Sequence, residues 1–254
     1  MSAPDELTDR QREIVRLVGQ QSYSTIEALA QRFEVSMQSI RRDVIHLDRL
    51  KLLQRFHGGA GATDNTVRLG YGEKRLQALD AKQRIARAAA ALVPPGSSIF
   101  LDVGTTTEAL ARSLAEREVA LRVFTNSMAI AMALAGRRQL ELYVFGGSVR
   151  GADGSLTGAA TLAGIDAMGF DVCFIGCSGV DDRGRATDYD LEKIAVKQGA
   201  MRRSDSRVLL ADATKFERRA IAAIAPLADF ASVVSDGEPN AALRAEIGRL
   251  VIAD

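Results

Sequence analysis

Apolar residues recur at helical spacing through the first sixty positions of the chain. Side chains three and four residues apart share one face of an α-helix, so this spacing predicts three short amphipathic helices around one small core. Ser24 and Glu27 have the spacing of a capping box, which predicts that the second helix begins there, and the third is expected to begin at Ser36 after a tight turn. The predicted core positions are Ile14, Leu17, Val18, Ile26, Leu29, Phe33, Ile40, Val44 and Leu47.

A short β-hairpin is predicted directly after the third helix. Residues 52–60, LLQRFHGGA, combine a strand-like run with a glycine-bearing bend and the start of a return strand. The stretch from Gly58 to Gly72 holds five glycines and few large apolar side chains, which is typical of a linker. We therefore predict a first domain over residues 1–60, a linker over 61–72 and a second domain over 73–254.

Beyond the linker, continuous apolar runs alternate with alanine-rich helical segments such as Glu108–Glu116 and Ala129–Ala135. Strands that are apolar along their whole length are usually buried on both faces, as in a parallel sheet covered by crossover helices. The pattern therefore predicts a Rossmann-like α/β domain. The predicted strands are Ser98–Val103, Leu121–Thr125, Leu142–Phe145, Val172–Ile175, Val208–Ala211 and Ser232–Ser235.

Composition and charge narrow the classes of function. The 254 residues are 47% hydrophobic and 26% charged, with 33 basic and 32 acidic side chains and a formal charge of +1. A near-neutral chain has no bulk attraction to nucleic acid or to a membrane surface, so any such partner must bind at a local site. No apolar stretch approaches the roughly 18 residues of a membrane span, and the acidic start does not resemble a signal peptide, so we expect a cytoplasmic protein without a membrane partner.

Cysteine and histidine are too scarce for several kinds of chemistry. Cys173 and Cys177 lie four residues apart in an apolar run, which fits two reduced core thiols better than a zinc site. Both histidines, His46 and His57, precede residue 60, so the second domain has no imidazole for a nucleophile–histidine pair. We expect no metal ion, no cofactor and no catalytic residues.

The third predicted helix has the side chains of a DNA-reading helix. If its apolar residues face the core, the 100° turn per residue directs its polar side chains to the opposite surface. Gln pairs with adenine, Arg pairs with guanine or a phosphate, and a serine hydroxyl suits a phosphate oxygen, while a basic hairpin follows the neighbouring backbone. The candidate DNA-binding residues are Ser24, Ser36, Gln38, Ser39, Arg41, Arg42, Arg55 and His57.

An alternative for this helix is a solvated surface on which Arg41 and Arg42 pair with Asp43 and Asp48. The order of the elements favours DNA binding instead. Three helices, a tight turn and a basic hairpin within sixty residues are the layout of a winged helix-turn-helix.

A glycine and three threonines follow the first predicted strand of the second domain, where that strand passes into a helix. Gly104 permits close backbone approach, and the first-turn amides with the hydroxyls of Thr105, Thr106 and Thr107 offer donors to an anion at the positive end of the helix dipole. This composition suits a phosphate, although threonines at a helix start also serve as ordinary caps.

Polar loops follow other predicted strands as well. In an open parallel sheet, ligands bind where the carboxyl ends of the strands converge, so loops far apart in sequence can face one crevice. Lys215 would add a charge for a phosphate, and the carboxylates and amides would accept from sugar or polyol hydroxyls, although each carboxylate fits a structural role in its own loop equally well. The candidate ligand-binding residues are Asp102, Gly104, Thr105, Thr106, Thr107, Asn126, Ser127, Gly146, Gly147, Asp181, Asp212 and Lys215.

Three segments of the first domain have a distinctive sequence. They are Arg12-Glu-Ile14, Ala28–Val44 (ALAQRFEVSMQSIRRDV) and Arg55–Ala60 (RFHGGA). These segments closely resemble the winged helix-turn-helix of the DeoR family of bacterial transcription regulators, with IRRD and HGGA as the most specific elements. The resemblance implies a helix-turn-helix over about residues 24–43. Ser39 and Val44 stand where the family usually has Thr and Leu.

The resemblance extends over the second domain and covers about residues 7–236. In that family this half is related in fold to ribose-5-phosphate isomerase and senses phosphorylated sugars or polyols. Ser148–Gly154 and Gly184–Asp190 most resemble the branch that responds to glycerol-3-phosphate, which implies that ester as the effector. The matching segments are Glu73-Lys74, Asp102–Thr107, Thr125–Ser127, Phe145–Gly147, Gly176–Asp181 and Ala211–Phe216.

The residues and the resemblance together predict a transcriptional repressor of a sugar or polyol catabolic operon. We expect a homodimer or homotetramer on double-stranded operator DNA, which a phosphorylated polyol or sugar releases. Two alternatives remain open. One is a sugar-phosphate isomerase-like enzyme with an appended DNA-binding head, for which Asp102, Asp181, Asp212 and Lys215 supply acid/base groups. The other is a transcriptional activator of the same family.

Overall fold

Two units make up the chain in the computed structural model, residues 1–69 and residues 70–254. The structure describes residues 7–21, 23–50, 52–56, 59–62, 78–149 and 153–254. Four sequence features lie wholly or partly outside the described residues: His57, the predicted linker from residue 63 onward, Glu73-Lys74 and the centre of Ser148–Gly154. The predicted boundary after residue 60 is wrong by two residues, because Gly61 and Ala62 belong to the second strand of the hairpin. From residue 63 onward the predicted linker over 61–72 stays a prediction.

The N-terminal unit (residues 1–69) contains the three predicted helices and the predicted hairpin. Eight of the nine predicted core residues are buried, and Phe33 packs against them, so the helical spacing identified the core. The strands form one antiparallel sheet in the order β1-β3-β2, and β1 was not predicted. The elements are α1 (Asp9–Gln21), β1 (Tyr23–Thr25), α2 (Ile26–Arg32), α3 (Met37–Arg49), β2 (Leu53–Phe56) and β3 (Gly59–Ala62).

The predicted start of the second helix is wrong by one residue. Thr25, not Ser24, is the N-cap of α2, and its hydroxyl accepts from the Ala28 N–H at 3.0 Å. Ser24 instead lies on β1 opposite Ala60 with its side chain buried. Thr25 is the last residue of β1, paired with Gly59 of β3, and it is also the residue from which α2 begins.

The C-terminal unit (residues 70–254) is built on a seven-stranded parallel sheet in the order β15-β14-β12-β9-β4-β5-β6. A hairpin of β7 and β8 and a small antiparallel sheet of β10, β11 and β13 accompany it. The strands are β4 (Ser98–Leu101), β5 (Leu121–Thr125), β6 (Leu140–Val144), β7 (Ser148–Val149), β8 (Leu156–Thr157), β9 (Phe170–Gly176), β10 (Gly179–Val180), β11 (Arg185–Asp188), β12 (Ser204–Leu210), β13 (Ala222–Pro226), β14 (Ser232–Ser235) and β15 (Leu250–Ile252).

Helices cover both faces of the sheet, as the continuous apolar runs predicted. Ile99 and Leu101 pack in one buried cluster with residues of α4, α5 and α6, whereas Phe100 packs in a second cluster with residues of α7 and α8. The predicted α/β class, a winged helix-turn-helix followed by a Rossmann-like domain, is confirmed. The helices are α4 (Leu79–Ala91), α5 (Thr105–Ala115), α6 (Met128–Leu134), α7 (Ala159–Asp166), α8 (Leu191–Arg202) and α9 (Ala241–Ala245), with 3₁₀ turns at Ala213–Glu217 and Leu227–Asp229.

The first strand of the large sheet ends earlier than predicted. β4 ends at Leu101, two residues before the predicted end at Val103. The apolar pattern led past the end of the strand because Val103 is apolar and buried although it lies outside the strand.

Cys173 and Cys177 are free thiols, as expected, and burial raises their pKa values to about 11 and about 12. A raised pKa keeps both thiols protonated and unreactive at neutral pH.

Candidate functional site

Helix α3 presents polar side chains on the face opposite its core. Ile40, Val44 and Leu47 are fully buried, whereas Gln38 and the two arginines Arg41 and Arg42 are exposed and Ser39 is partly buried. Ser36 is the N-cap, and its hydroxyl accepts from the Ser39 N–H at 3.1 Å. The helix therefore offers Gln and Arg side chains to solvent along its first two turns, as a groove-reading helix requires.

The acidic neighbours of these arginines have other partners. Asp43 accepts from Arg10 Nε at 2.7 Å and from Gln11 Nε2 at 2.9 Å, which ties α1 to α3. Asp48 accepts from the Arg55 backbone N–H at 2.9 Å. Within the described part of the chain, neither Arg41 nor Arg42 forms an ion pair. The structure therefore does not support the alternative in which these arginines pair with Asp43 and Asp48.

The remaining predicted DNA contacts divide into two groups. Arg55 is exposed on β2, in a position that suits a phosphate of the DNA backbone. The side chain of Ser24 is buried, which does not suit a DNA contact. His57 lies outside the described residues, and its contact stays a prediction.

Four of the predicted polar loops meet at one edge of the large sheet. Asp102, Asn126 and Asp212 follow the carboxyl ends of β4, β5 and β12, and β9 ends at Gly176. These strands are neighbours in the order β12-β9-β4-β5, so their ends line one crevice. The side chains of Asp102, Asn126 and Asp212 are all buried there.

A buried lysine that the sequence analysis missed lies at the centre of this edge. The Nζ of Lys197, on α8, contacts Asp102 Oδ2, lies 3.0 Å from the Gly176 carbonyl oxygen and lies 3.4 Å from Asp188 Oδ2. Asp102 Oδ2 also accepts from the Gly176 N–H at 3.1 Å. The lysine and the carboxylate are 1% and 0% exposed.

The ionisation of this pair follows from its surroundings. Burial raises the pKa of the Asp102 carboxyl, and the Lys197 ammonium opposes that effect. Burial lowers the pKa of Lys197, but the carboxylates of Asp102 and Asp188 outweigh burial and raise it above its ordinary value. We infer an ion pair, because two donors meet the same carboxylate oxygen and the ammonium meets three acceptors.

The first turn of α5 is where the sequence analysis predicted an anion site, and it has no side-chain cap among the described residues. Gly104 is the N-cap with φ 156°, and no described side chain caps the helix. A Cβ at Gly104 would lie 3.2 Å from the Thr107 hydroxyl oxygen, which itself donates to the Gly104 carbonyl at 2.9 Å. The uncapped N–H groups at the positive end of the helix are therefore available to an anion, with Thr105 as the partly exposed hydroxyl.

Lys82 lies within electrostatic range of Lys215, Arg218 and Asp212, and the sequence analysis did not select Lys82 or Arg218. Lys215 Nζ is 3.9 Å from Asp212 Oδ2. Burial lowers the pKa of Lys82, and the neighbouring charges of Lys215 and Arg218 lower it further, whereas Asp212 raises it. Lys82 and Thr105 also line one groove of about 400 Å³ between α4 and α5. A bound anion would relieve the repulsion among these cations.

Several other predicted ligand residues have structural roles instead. Ser127 caps α6 and accepts from the Ile130 N–H at 3.3 Å. Asp181 holds its own loop through the N–H groups of Arg183 and Arg185 and the Arg185 guanidinium, contacts that outweigh burial and lower the pKa of the carboxyl. At Gly147 a Cβ would lie 2.2 Å from the Thr161 hydroxyl oxygen, so this glycine is required by packing, and the neighbouring Gly146 accepts a hydrogen bond from Thr161 through its carbonyl.

The structure thus brings together a subset of the predicted residues. That subset is Asp102, Gly104, Thr105, Thr106, Thr107, Asn126, Asp212 and Lys215, joined by Lys82 and Lys197. Among the described residues, no cluster of three or more His, Cys, Asp or Glu side chains suits a metal ion. None of the described helices is both long enough and apolar enough to cross a bilayer.

A winged helix-turn-helix with an exposed Arg-bearing helix, carried on the same chain as a parallel α/β domain with buried polar side chains after its strand ends, is typical of a ligand-sensing transcription regulator. Residues 10–66 match the DeoR-like helix-turn-helix domain, and residues 77–237 match the DeoR C terminal sensor domain. The chain therefore belongs to the DeoR family. It is a DNA-binding transcriptional repressor with a sensor domain for a small molecule, and not an enzyme.

Curated relatives cover nearly the whole chain. The glycerol-3-phosphate regulon repressor of Escherichia coli K12 is 34% identical over 232 residues, which are 91% of this chain and 92% of that protein. The glycerol-3-phosphate regulon repressor of Haemophilus influenzae is 36% identical over 220 residues, 87% of this chain and 86% of that protein. Among solved structures, a ribose 5-phosphate isomerase A from Methanocaldococcus jannaschii is similar over 56% of this chain and 55% of its own, at 18% identity and a TM-score of 0.41. The family assignment rests on the sequence matches, not on this structural likeness.

Proposed function

We propose that this repressor controls a sugar or polyol catabolic operon and that a phosphorylated polyol or sugar releases it from its operator. Among these compounds we propose glycerol-3-phosphate as the effector. The observation that carries the ligand class is the uncapped start of α5, whose Thr105 lines one groove with Lys82. The names of the two relatives at 34% and 36% identity support the particular ester.

A phosphate monoester suits this crevice better than a neutral sugar does. The amides of the first α5 turn lie at the positive end of a helix dipole, and Lys82, Lys215 and Arg218 add positive charge near Asp212. Lys82 is desolvated, so its charge acts through a less screened medium than bulk water. A free alcohol would use none of these charges.

We assign operator recognition to the exposed face of α3 and to the hairpin. Gln38, Arg41 and Arg42 read the major groove, while Ser36, Ser39 and Arg55 contact phosphates. His57 keeps its predicted backbone contact. A homodimer or homotetramer places two heads on successive half-sites, so that the symmetry of the protein matches that of the operator. Binding of the effector and of DNA must then weaken each other equally.

The test measures operator release directly. DNA sites are selected from a random-sequence library with the purified full chain, and a labelled selected site is followed by fluorescence anisotropy. Glycerol-3-phosphate is expected to release the DNA, whereas unphosphorylated glycerol leaves it bound. A thermal-shift measurement on the same samples reports whether each compound binds. If glycerol-3-phosphate binds at saturation and the DNA stays bound, the release model is wrong, and if glycerol alone releases the DNA, the anion site is wrong.

A further inference from the structure

Two buried oxygens at the crevice receive no hydrogen bond from any described residue. They are Asp102 Oδ1 and Asn126 Oδ1, and both side chains are fully buried. Asp102 and Asn126 directly follow Leu101 and Thr125, which are register partners in the parallel pair of β4 and β5. The two side chains therefore begin at adjacent positions on one sheet edge, about 5 Å apart between strands. A buried acceptor without a donor lowers stability, so each oxygen indicates a partner that arrives with a ligand.

The contacts of Lys197 determine which carboxylate oxygen of Asp102 has no hydrogen-bond donor. Its ammonium has three protons and meets three acceptors: Asp102 Oδ2, the Gly176 carbonyl oxygen and Asp188 Oδ2. The Gly176 N–H also donates to Asp102 Oδ2. Both fixed donors thus bind one carboxylate oxygen, and Oδ1 keeps its lone pairs. Lys197 is therefore a positioning residue for Asp102.

The orientation of Asn126 is fixed in a similar way. Its Nδ2 donates to the Leu156 carbonyl oxygen at 3.1 Å, and its own backbone carbonyl accepts from the Leu156 N–H at 2.7 Å. A flipped amide would bring two oxygens together at Leu156, so the oxygen of Asn126 must be the atom without a donor. The two atoms left without a partner are therefore both acceptors, and they belong to adjacent positions on the sheet edge.

We propose that Asp102, oriented by Lys197, and Asn126 form a subsite that selects for a hydroxyl group. The subsite accepts phosphate esters that have a hydroxyl on a carbon near the phosphate, and it rejects esters that have a carbonyl at the same position. The inference rests on the proposed function, since it concerns the same crevice. The N-cap of α5, Gly104, follows Asp102 by two residues, so an anion on the α5 amides places the carbons nearest the phosphate beside the two acceptors. A hydroxyl donates to either oxygen, whereas a carbonyl oxygen there would face two acceptors with no hydrogen between them.

The first experiment uses the wild-type full chain and four probes, three phosphate esters of similar size and inorganic phosphate. Calorimetric titration gives the Kd of glycerol-3-phosphate, of dihydroxyacetone phosphate, of 1,3-propanediol monophosphate and of inorganic phosphate. The second probe has a carbonyl in place of the middle hydroxyl, and the third lacks that hydroxyl. We expect glycerol-3-phosphate to bind at least about tenfold more tightly than either. Equal affinity for the three esters would overturn this inference and leave the proposed function standing.

The second experiment inverts the subsite. In Asp102→Asn, Lys197 and the Gly176 N–H still require an acceptor, so the new amide oxygen replaces Oδ2 and an NH₂ donor replaces Oδ1. The preference for glycerol-3-phosphate over dihydroxyacetone phosphate is expected to vanish or reverse, and in Lys197→Gln, where the orientation is lost, it is expected to fall. The matched control is Asp166→Asn, which changes an exposed carboxylate at the end of α7 and should keep the wild-type ratio.

The outcomes separate the two proposals. An unchanged preference in folded Asp102→Asn overturns the assignment of Asp102, and so does a wild-type preference for the carbonyl ester. If Asp102→Asn does not fold, the wild-type ratio still decides, because it needs no variant. If none of the four probes binds, the phosphate site and the subsite both fail, a result distinct from equal binding of the esters.

Discussion

Each unit contains a buried carboxylate, and the two differ in how their oxygens are hydrogen-bonded. Asp43 in the N-terminal unit has donors on both oxygens, from Arg10 and Gln11. Asp102 in the C-terminal unit has donors on Oδ2 only, from Lys197 and Gly176, while Oδ1 has none among the described residues. A fully satisfied carboxylate holds helices together, whereas a half-satisfied one leaves an acceptor for a ligand. Hydrogen-bond completeness thus separates a structural Asp from a binding Asp where burial alone does not.

The N-termini of α3 and α5 also differ in whether a side chain of the protein satisfies their free N–H groups. The Ser36 hydroxyl caps α3, whereas no described side chain caps α5 after Gly104. A capped helix start has already satisfied one of its free N–H groups from within the chain. The start of α5 has no side-chain cap for its first N–H groups, which supports the proposed anion site.

Removal of the Lys197 ammonium is expected to have the largest effect. Lys197→Met leaves Asp102 and Asp188 without the cation between them, which should cost roughly 3 to 5 kcal/mol of unfolding free energy. The matched change at the other carboxylate, Arg10→Met, should cost about 1 kcal/mol or less, because the Arg10 side chain is 37% exposed. Urea unfolding followed by circular dichroism measures both. Equal losses would show that the two carboxylates do not differ as described.

Lys215→Ala is expected to weaken the effector and spare the operator. Loss of a charged contact to a phosphate costs about 1.5 to 3 kcal/mol, which is about a 10- to 100-fold rise in the Kd for glycerol-3-phosphate. Calorimetry measures that Kd, and anisotropy should show a repressor that stays on DNA when the ester is added. Arg219→Ala is the control, since it removes the same charge from an exposed position four residues later. Similar weakening by both variants would indicate only a general loss of positive potential.

Arg41→Ala is expected to act on the other unit alone. If Arg41 reads a base, operator affinity should fall by about 1 to 3 kcal/mol while the Kd for glycerol-3-phosphate stays unchanged. Arg49→Ala, which removes an exposed Arg at the far end of α3, is the matched control and should retain most affinity. Anisotropy with the selected DNA measures both variants. A loss as large in Arg49→Ala would contradict a reading role for the start of α3.

Periodic burial explains why most of the fold could be predicted. Ile40, Val44 and Leu47 repeat at the helical period, and strands such as Ser232–Ser235 are buried along their length, so the pattern carries the geometry. Strand β1 lacked such a signal because Tyr23–Thr25 is three residues long and pairs with a glycine-containing strand far along the chain.

The site was predicted less completely, for a different reason. Lys197 was missed because a charged residue is expected to be exposed, although its spacing from Ile194 and Met201 places it on the buried side of α8. Ser127 and Asp181 were selected for chemistry that their own loops already use. Which polar group is left without a partner depends on turn geometry and on contacts distant in sequence, and neither is encoded in a local motif.

The smallest expected effect separates capping from DNA contact at Ser36. Ser36→Ala should cost about 1 kcal/mol of stability because the Ser39 N–H loses its acceptor, whereas Ser36→Gly should cost only a few tenths because glycine is itself a good N-cap. Both variants lack the hydroxyl, so a direct phosphate contact predicts weaker operator binding in both. If only Ser36→Ala binds DNA more weakly, the hydroxyl serves the helix start and not the DNA. Thermal unfolding and anisotropy on the same preparations distinguish the two, and Arg41→Ala provides the scale for a true DNA contact.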